Sequence, residues 1–262
     1  LYSIPGLEGL RLNIAVHDNG KSFWVLRIKN RNKIVADGIE DPQFSMENKG
    51  KYVNAKQMNE LLDSPETVVI DMRNHYEYEV GHFDNAIEIP SDTFREQLPM
   101  AAEMMKDHRE KNIIMYCTGG IRCEKASSHM ISEGFDEVYH LEGGILKYLE
   151  EVKPDESLWQ GECFVFDQRV AIKHGLEVGN YDQCYACRYP LSADDMKSDK
   201  YTPGISCPHC FDHHTPEKLK ALTERQKQVI LAKERGTYHI GGKTQFMTKQ
   251  KKKRLEKIES TS

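Results

Sequence analysis

No apolar run in the 262 residues approaches the roughly 20 that carry a helix across a bilayer. No secretory leader is visible either, and no signature for flavin, haem or iron stands out, so no organic cofactor is expected. The seven cysteines do not make a disulfide framework: four fall in two Cys-x2-Cys pairs, Cys117 lies in a glycine loop, and Cys123 and Cys163 are left over. Such usage fits a reducing compartment, and a cytoplasmic protein is the expectation. There is no basic excess. Lys and Arg number 36 against 41 Asp and Glu, a net charge of -5, which argues against an overall basic nucleic-acid binder but leaves room for a local basic patch. With 39% hydrophobic and 29% charged residues the composition is that of a polar-surfaced globular protein, long enough for one large domain or two to three smaller ones.

The feature that organises the chain is Cys117-Thr118-Gly119-Gly120-Ile121-Arg122-Cys123, between the apolar run Ile113–Tyr116 and a helical stretch from Cys123 to Gly134. A buried strand, a tight glycine loop and a helix turn the loop's N–H groups and the positive helix end inward. With a cysteine at the focus and Arg122 closing the loop, that field favours thiolate over thiol, so Cys117 is expected to have a depressed pKa and to act as a nucleophile. The spacing is Cys-x4-Arg, one residue shorter than the Cys-x5-Arg loop that cradles phosphate in cysteine phosphatases. The smaller ring suits one extra sulfur better than a phosphoryl group. In this the loop resembles the active-site loop of rhodanese-type sulfurtransferase domains. Cys123, one residue past Arg122, is either a resolving thiol or a packing residue, and Lys125 reads as an exposed helix residue.

Residues 1–41 alternate as two strands, Leu10–Val16 and Phe23–Ile28, joined by the turn Asp18-Asn19-Gly20. Two strands do not stand alone, so this piece is expected to be the C-terminal part of a small α+β (ferredoxin-like) domain that begins upstream. From residue 42 to 152 short strands (Val68–Ile70, Ile87–Ile89, Ile113–Tyr116, Val138–Leu141) alternate with helical stretches, among them one capped by Asn54 and one over Asp92–Leu98. That alternation predicts an α/β domain with a mostly parallel sheet and flanking helices, its site beyond the carboxyl ends of the strands. Asp71 ends a buried strand where a lone carboxylate would be costly, and Arg73 and Glu77 are expected to satisfy it and brace the active-site loop. His82 reads as a structural corner residue. The run Asp71-Met-Arg73…Glu77-Tyr-Glu-Val-Gly81-His82…Ala86-Ile-Glu-Ile-Pro90, followed later by Leu141-Glu-Gly-Gly144, is similar to the signatures of rhodanese domains.

The region 153–215 opens on Gly161–Val170, read as one strand, and then carries Cys184-x2-Cys187 and Cys207-x2-Cys210. Two such knuckles complete a tetrahedral four-thiolate site, so a structural zinc ion is the expected metal. His209, His213 and His214 could substitute, but four cysteines already close the shell. Residues 216–262 hold a helix over Glu217–Arg235 and then a basic tail with Lys249, Lys251, Lys252, Lys253 and Arg254, read evenly as a solvated tail or a phosphate-binding arm.

Taken together, Gly9–Ala15, Gly20–Arg27, Ile34–Ile39, Ile70–Phe83 and Cys117–Ala126 resemble the bacterial tRNA uridine(34) hydroxylase family. The resemblance implies oxygen-dependent formation of 5-hydroxyuridine at the wobble position, with O2 as co-substrate, the tRNA anticodon loop as partner and Cys117 as the essential residue. Cys117 sulfur attacking C6 of the uracil would make C5 electron-rich, with Arg122 and the loop amides steadying the charge. The two other readings are a rhodanese-type sulfurtransferase that forms a persulfide on Cys117, and a zinc-stabilised RNA- or protein-binding module without catalysis.

Overall fold

Strand alternation decides which layer each residue serves. In a computed structural model of the chain, which describes residues 3–6, 8–9, 29–42, 44–91 and 93–237, the elements run as follows. β1 (Lys51–Val53), α1 (Ala55–Leu62), β2 (Thr67–Asp71), α2 (His75–Val80), β3 (Gly81–Phe83) and β4 (Ile87–Glu88) come first. They are followed by α3 (Phe94–Met104), β5 (Asn112–Tyr116), α4 (Ile121–Ser132), β6 (Val138–Leu141) and α5 (Gly144–Glu151). After these come β7 (Trp159–Gly161), β8 (Cys163–Phe164), β9 (Ala171–Ile172), β10 (Asp182–Gln183), β11 (Pro190–Leu191) and α6 (Pro216–Glu234). Both N-terminal strands expected from the sequence, and the basic tail, lie outside the described residues.

Five strands form one sheet in the order β1-β6-β5-β2-β4 with every pair parallel. Along β5, Ile114 and Tyr116 face one layer while Ile113, Met115 and Cys117 face the other. The first layer gathers Met58 of α1, Tyr148 and Leu149 of α5, Phe83 and Trp159. Phe83 meets the edges of Tyr116, Tyr148 and Trp159 at centroid distances of 4.9, 4.7 and 5.0 Å, the T-shaped geometry that aromatic quadrupoles favour. The second layer holds Leu98 and Ala101 of α3, with Cys123, Ala126 and Met130 of α4. Covered on both faces, the central strands are continuous apolar runs, as parallel sheets require.

The helices start where local chemistry allows. Asn54 caps α1 by accepting the Gln57 N–H at 2.9 Å, and the Gln57 side chain returns the bond to the Asn54 N–H at 3.0 Å. α3 runs from Phe94 through Pro99 to Met104, and Asp92, where the sequence put the start of a helical stretch, lies outside the described residues. Pro99 removes one helical N–H and crowds the carbonyl one turn back, a cost offset by burial of Leu98 and Ala101 beside it. Upstream, Asp37 is buried between Lys33 (2.7 Å) and Lys125 (3.1 Å), so Lys125 anchors the 33–39 segment to α4 and is not the free surface residue expected of it.

The chain divides into two compact units: among the described residues the first covers 3–6, 8–9 and 31–179, and the second 29–30 and 180–237. The division read from the sequence at residue 152 falls inside the first unit. β7 pairs antiparallel with β3, Trp159 opposite Phe83, and Cys163, Val165 and Ile172 join the first core layer. The run Gly161–Val170 is therefore not one strand. It breaks after Phe164 because Asp167 folds the chain back: its carboxylate accepts the Arg169 N–H at 2.9 Å and the Arg169 guanidinium at 2.6 Å. Val170 then takes a left-handed backbone (φ 64), and β8 pairs with β9 as a hairpin. No helix among the described residues is long and apolar enough to cross a membrane.

Candidate functional site

The loop expected to carry the chemistry begins where β5 ends and closes as α4 starts, at the carboxyl edge of the parallel sheet. Gly120 takes a left-handed backbone (φ 89) that a side chain would strain, and this bend turns its N–H onto the Cys117 sulfur at 3.2 Å. The N–H groups of Arg122 and Cys123 also point at that sulfur. Cys117 is 2% exposed. Its thiol is pulled down to about 6, first by a hydrogen bond from the Cys123 thiol, then by the Arg122 charge and the loop amides, which together outweigh burial. At neutral pH the group is a thiolate held by fixed donors. The leading donor is Cys123, whose role the sequence left undecided.

The back of the loop rests on the start of α5. Ile145 and Leu146 donate their N–H groups to the Cys117 and Thr118 carbonyls, both at 3.1 Å, so the loop's outward carbonyls are satisfied by orphan donors of a helix end. Gly144 makes the approach possible: a Cβ there would sit 2.4 Å from the Cys117 carbonyl oxygen. The sequence showed Gly143 and Gly144 only as a family mark. Their spacing after β6 is the signal that two loops touch at the strand ends.

The expected single network of Asp71, Arg73 and Glu77 is two separate ion pairs. Arg73 binds Asp71 through Nη2 at 2.6 Å and Nε at 2.9 and 3.1 Å, and it also donates to the Gly81 carbonyl at 2.5 Å. Both side chains are fully buried, with the guanidinium over the Trp159 and Tyr116 rings at 5.1 and 5.6 Å. This pair ties β2 to β3 and β7. Glu77 does the bracing. It accepts Arg122 Nη1 and Nη2 at 2.8 and 2.7 Å, Thr118 Oγ1 at 3.1 Å and the Asn74 N–H at 3.2 Å. Burial alone would raise its pKa, but the hydrogen bonds and charge of Arg122 hold it below the usual carboxylate range. Arg122 thus gives two hydrogen bonds to Glu77 and a longer one, 3.4 Å, to Thr118 Oγ1, which joins the same clamp, and acts on Cys117 through charge. Ile121, half exposed, caps the rim of the loop. His82 stacks on Tyr78 at 4.0 Å and lies 3.0 Å by Nδ1 from the Tyr78 carbonyl, the structural corner expected of it.

In the second unit the sulfurs of Cys184, Cys187, Cys207 and Cys210 all lie within 4.8 Å of one another. Three of the edges measure 3.9, 3.7 and 3.7 Å. A tetrahedron with metal–sulfur bonds of about 2.3 Å has edges of about 3.8 Å, so the four residues could hold a metal ion without rearrangement. Amides of Ala186 and Cys187 point at the Cys184 sulfur, as in a metal knuckle. His209 is instead stacked on Tyr189 at 3.8 Å, with Nε2 3.5 Å from Asp195. Arg225 of α6 clamps the two knuckles by donating to the Tyr185 and Gly204 carbonyls at 2.6 and 2.8 Å.

A five-stranded parallel sheet with a cysteine loop at its carboxyl edge defines a rhodanese-like protein, and residues 54–151 match the family model of the Rhodanese-like domain. Solved structures that resemble the chain include the rhodanese-like domain of an Anabaena protein (20% identity, 42% of this chain and 78% of that one, TM-score 0.34). A single-domain sulfurtransferase of Saccharomyces cerevisiae is a second (21% identity, 39% of this chain and 91% of that one, TM-score 0.33). Among curated proteins, one named tRNA uridine(34) hydroxylase from Teredinibacter turnerae is 47% identical over 239 residues, spanning 90% of this chain and 73% of its own length. The chain belongs to the tRNA uridine(34) hydroxylase family.

Proposed function

We propose that this protein hydroxylates uridine 34 of tRNA, with O2 as co-substrate and Cys117 as the residue that attacks the base. The observation that carries the reading is the 47% identity over 239 residues to a curated protein of that name. The thiolate at Cys117 supplies the chemistry. Added to C6 of the uracil, the sulfur would place electron density on C5, where the hydroxyl must enter. The amides of Gly120, Arg122 and Cys123 hold the sulfur before and after the attack, and Arg122, anchored by Glu77, offsets charge that develops on the ring. Anticodon loops are single-stranded, so a base there can be splayed into the site at little energetic cost. Asp71 and Arg73 position the strand ends and touch no substrate.

Zinc is the metal that fits the four-cysteine site, since four thiolates close its tetrahedral shell and leave no open position for catalysis. Cys184, Cys187, Cys207 and Cys210 would hold it, and its contribution there is structural. The place of work is the cytoplasm, where tRNA is modified and thiols stay reduced. The test is nucleoside analysis of tRNA from a deletion strain. Wild-type protein is expected to restore 5-hydroxyuridine and Cys117→Ala to restore none. Full restoration by Cys117→Ala would remove Cys117 from the reaction, and rapid thiosulfate-to-cyanide turnover with no 5-hydroxyuridine would point to a sulfurtransferase instead.

A further inference from the structure

Replacing C5–H by C5–OH with O2 puts one oxygen atom into the base and sends the other to water, a change that consumes two electrons and two protons. A reductant is therefore part of the reaction. The molecule places a second thiol directly against the nucleophile. The pleat of β5 sends Cys117 into the same layer that receives Cys123 from the first turn of α4, and both sulfurs are shut off from solvent. Each thiol acts on the ionisation of the other, Cys117 being pulled down and Cys123 pushed up. We infer that Cys117 and Cys123 are a catalytic dithiol, which supplies the two electrons of the hydroxylation by closing to a disulfide. This rests on the hydroxylase reading above.

The balance is complete without a further cofactor: uridine C5–H, O2, the Cys117 thiolate, the Cys123 thiol and one solvent proton give C5–OH, H2O and one S–S bond. The O–O, C5–H and Cys123 S–H bonds break, the Cys117 sulfur leaves C6 as the C5 proton is lost, one oxygen stays on C5 as hydroxyl and the other leaves as water. The thiols are oxidised and O2 is reduced. A dithiol reductant from outside then reopens the disulfide for the next turnover.

Three observations support this pairing over any other in the molecule. Cys163 lies in the opposite layer, with its sulfur set on the Phe164 carbonyl, and Cys184, Cys187, Cys207 and Cys210 are gathered in the second unit. At neutral pH the pair holds one thiolate and one thiol, because burial pushes Cys123 well up while Cys117 is pulled down; a nucleophile and a proton donor thus stand side by side. Forming a bond of about 2.05 Å asks the Cys117 sulfur to move toward α4. Open space beside Gly119, where even an added Cβ would meet nothing within 4 Å, leaves the loop unobstructed there.

A single-turnover experiment tests the dithiol. The metal-loaded, full-length protein is reduced, freed of external thiol under nitrogen, and given unmodified tRNA and O2. One 5-hydroxyuridine per chain is expected, together with a Cys117–Cys123 disulfide peptide in the mass spectrum, and repeated turnover only on adding dithiothreitol. Cys123→Ser keeps a hydrogen-bond donor beside Cys117, so alkylation of Cys117 by iodoacetamide should keep its low-pH midpoint and report an intact loop. In the same variant product should be lost in the absence of added thiol. Wild-type-level product from Cys123→Ser without reductant, or wild-type product with both thiols still free, overturns the dithiol and leaves the hydroxylase standing. No 5-hydroxyuridine from wild type under any reductant overturns the hydroxylase reading and the dithiol with it.

Discussion

Two regions of this molecule hold cysteine sulfur, and they do so by opposite means. At Cys117 a single sulfur is surrounded by donors that the backbone and a neighbouring thiol supply, with an arginine charge nearby. In the second unit four sulfurs lie within 4.8 Å of one another, three of the edges at 3.7–3.9 Å. The first arrangement distributes its support over several contacts, from the Gly120 N–H of the loop and from Arg122 and Cys123 at the start of α4. The second concentrates it at one point. The thiolate at Cys117 is thus supported by neighbouring donors, whereas four thiolates in the second unit would be supported by one central charge, that of a metal ion.

Removing that charge should therefore have the largest effect. Structural zinc contributes on the order of 10 kcal/mol in small cysteine domains, more than the whole stability of a unit of this size. A strong chelator should release one metal ion per chain and melt residues 180–237, while the backbone amides of β2, β5 and β6 stay protected. Hydrogen exchange resolves the two units. Protection in both that is unchanged after chelation would break the contrast.

Next come the buried ion pairs around the loop. The turn Asp71-Met-Arg73 and the turn Asp167-Gln-Arg169 carry the same bonds, an Arg N–H and a guanidinium on one carboxylate. They differ in burial: the first pair is fully enclosed, while Arg169 keeps a fifth of its side chain in water. Asp71→Asn should cost about 3–5 kcal/mol, because Arg73 is left charged and enclosed. Asp167→Asn should cost about 1 kcal/mol, in the range of partly solvated pairs. Urea midpoints at neutral pH measure both, and equal losses would remove burial as the cause.

The reactivity of Cys117 gives a third, smaller effect. With the thiol near 6, the thiolate fraction falls about tenfold per pH unit below that point and is level above it. Iodoacetamide alkylation of Cys117 should rise through pH 6 and be flat by pH 7, whereas an ordinary cysteine still gains rate up to about pH 8.5. Metal-loaded Cys184, Cys187, Cys207 and Cys210 should not react over the same range. A Cys117 midpoint near that of a free cysteine would mean that the loop donors do not act on the sulfur.

How much of this was legible in the sequence follows from where each signal lives. Central strands such as Ile113–Tyr116 are continuous apolar runs, and the four expected ones are present. β1 was missed because its three residues bury only Val53. α5 was missed because its start is Gly143-Gly144, a breaker by composition that is needed here for contact with the Cys117 loop. Cys117 and the four-cysteine set are carried by local spacing and were readable. Arg73 as the partner of Asp71 was readable too, two residues along the same turn. The partner of Glu77 was not, since Glu77 and Arg122 stand on two helices and lie 45 residues apart in the chain. Local motifs show the groups, and only the fold pairs those that lie far apart.

That distribution of support sets the smallest prediction. Thr118 donates one hydrogen bond to Glu77 at 3.1 Å, alongside two stronger bonds from Arg122 and one from the Asn74 N–H. Thr118→Val keeps the shape and removes the hydroxyl. Glu77 stays buried with three donors, so the loss should be about 1 kcal/mol, the net worth of a single hydrogen bond. The Cys117 alkylation midpoint should not move, because Thr118 Oγ1 serves Glu77 and not the sulfur. A loss above about 3 kcal/mol would instead mean that the carboxylate clamp behaves as one all-or-none network, like the metal cluster. A shifted midpoint would show that the clamp reaches the sulfur by moving Arg122.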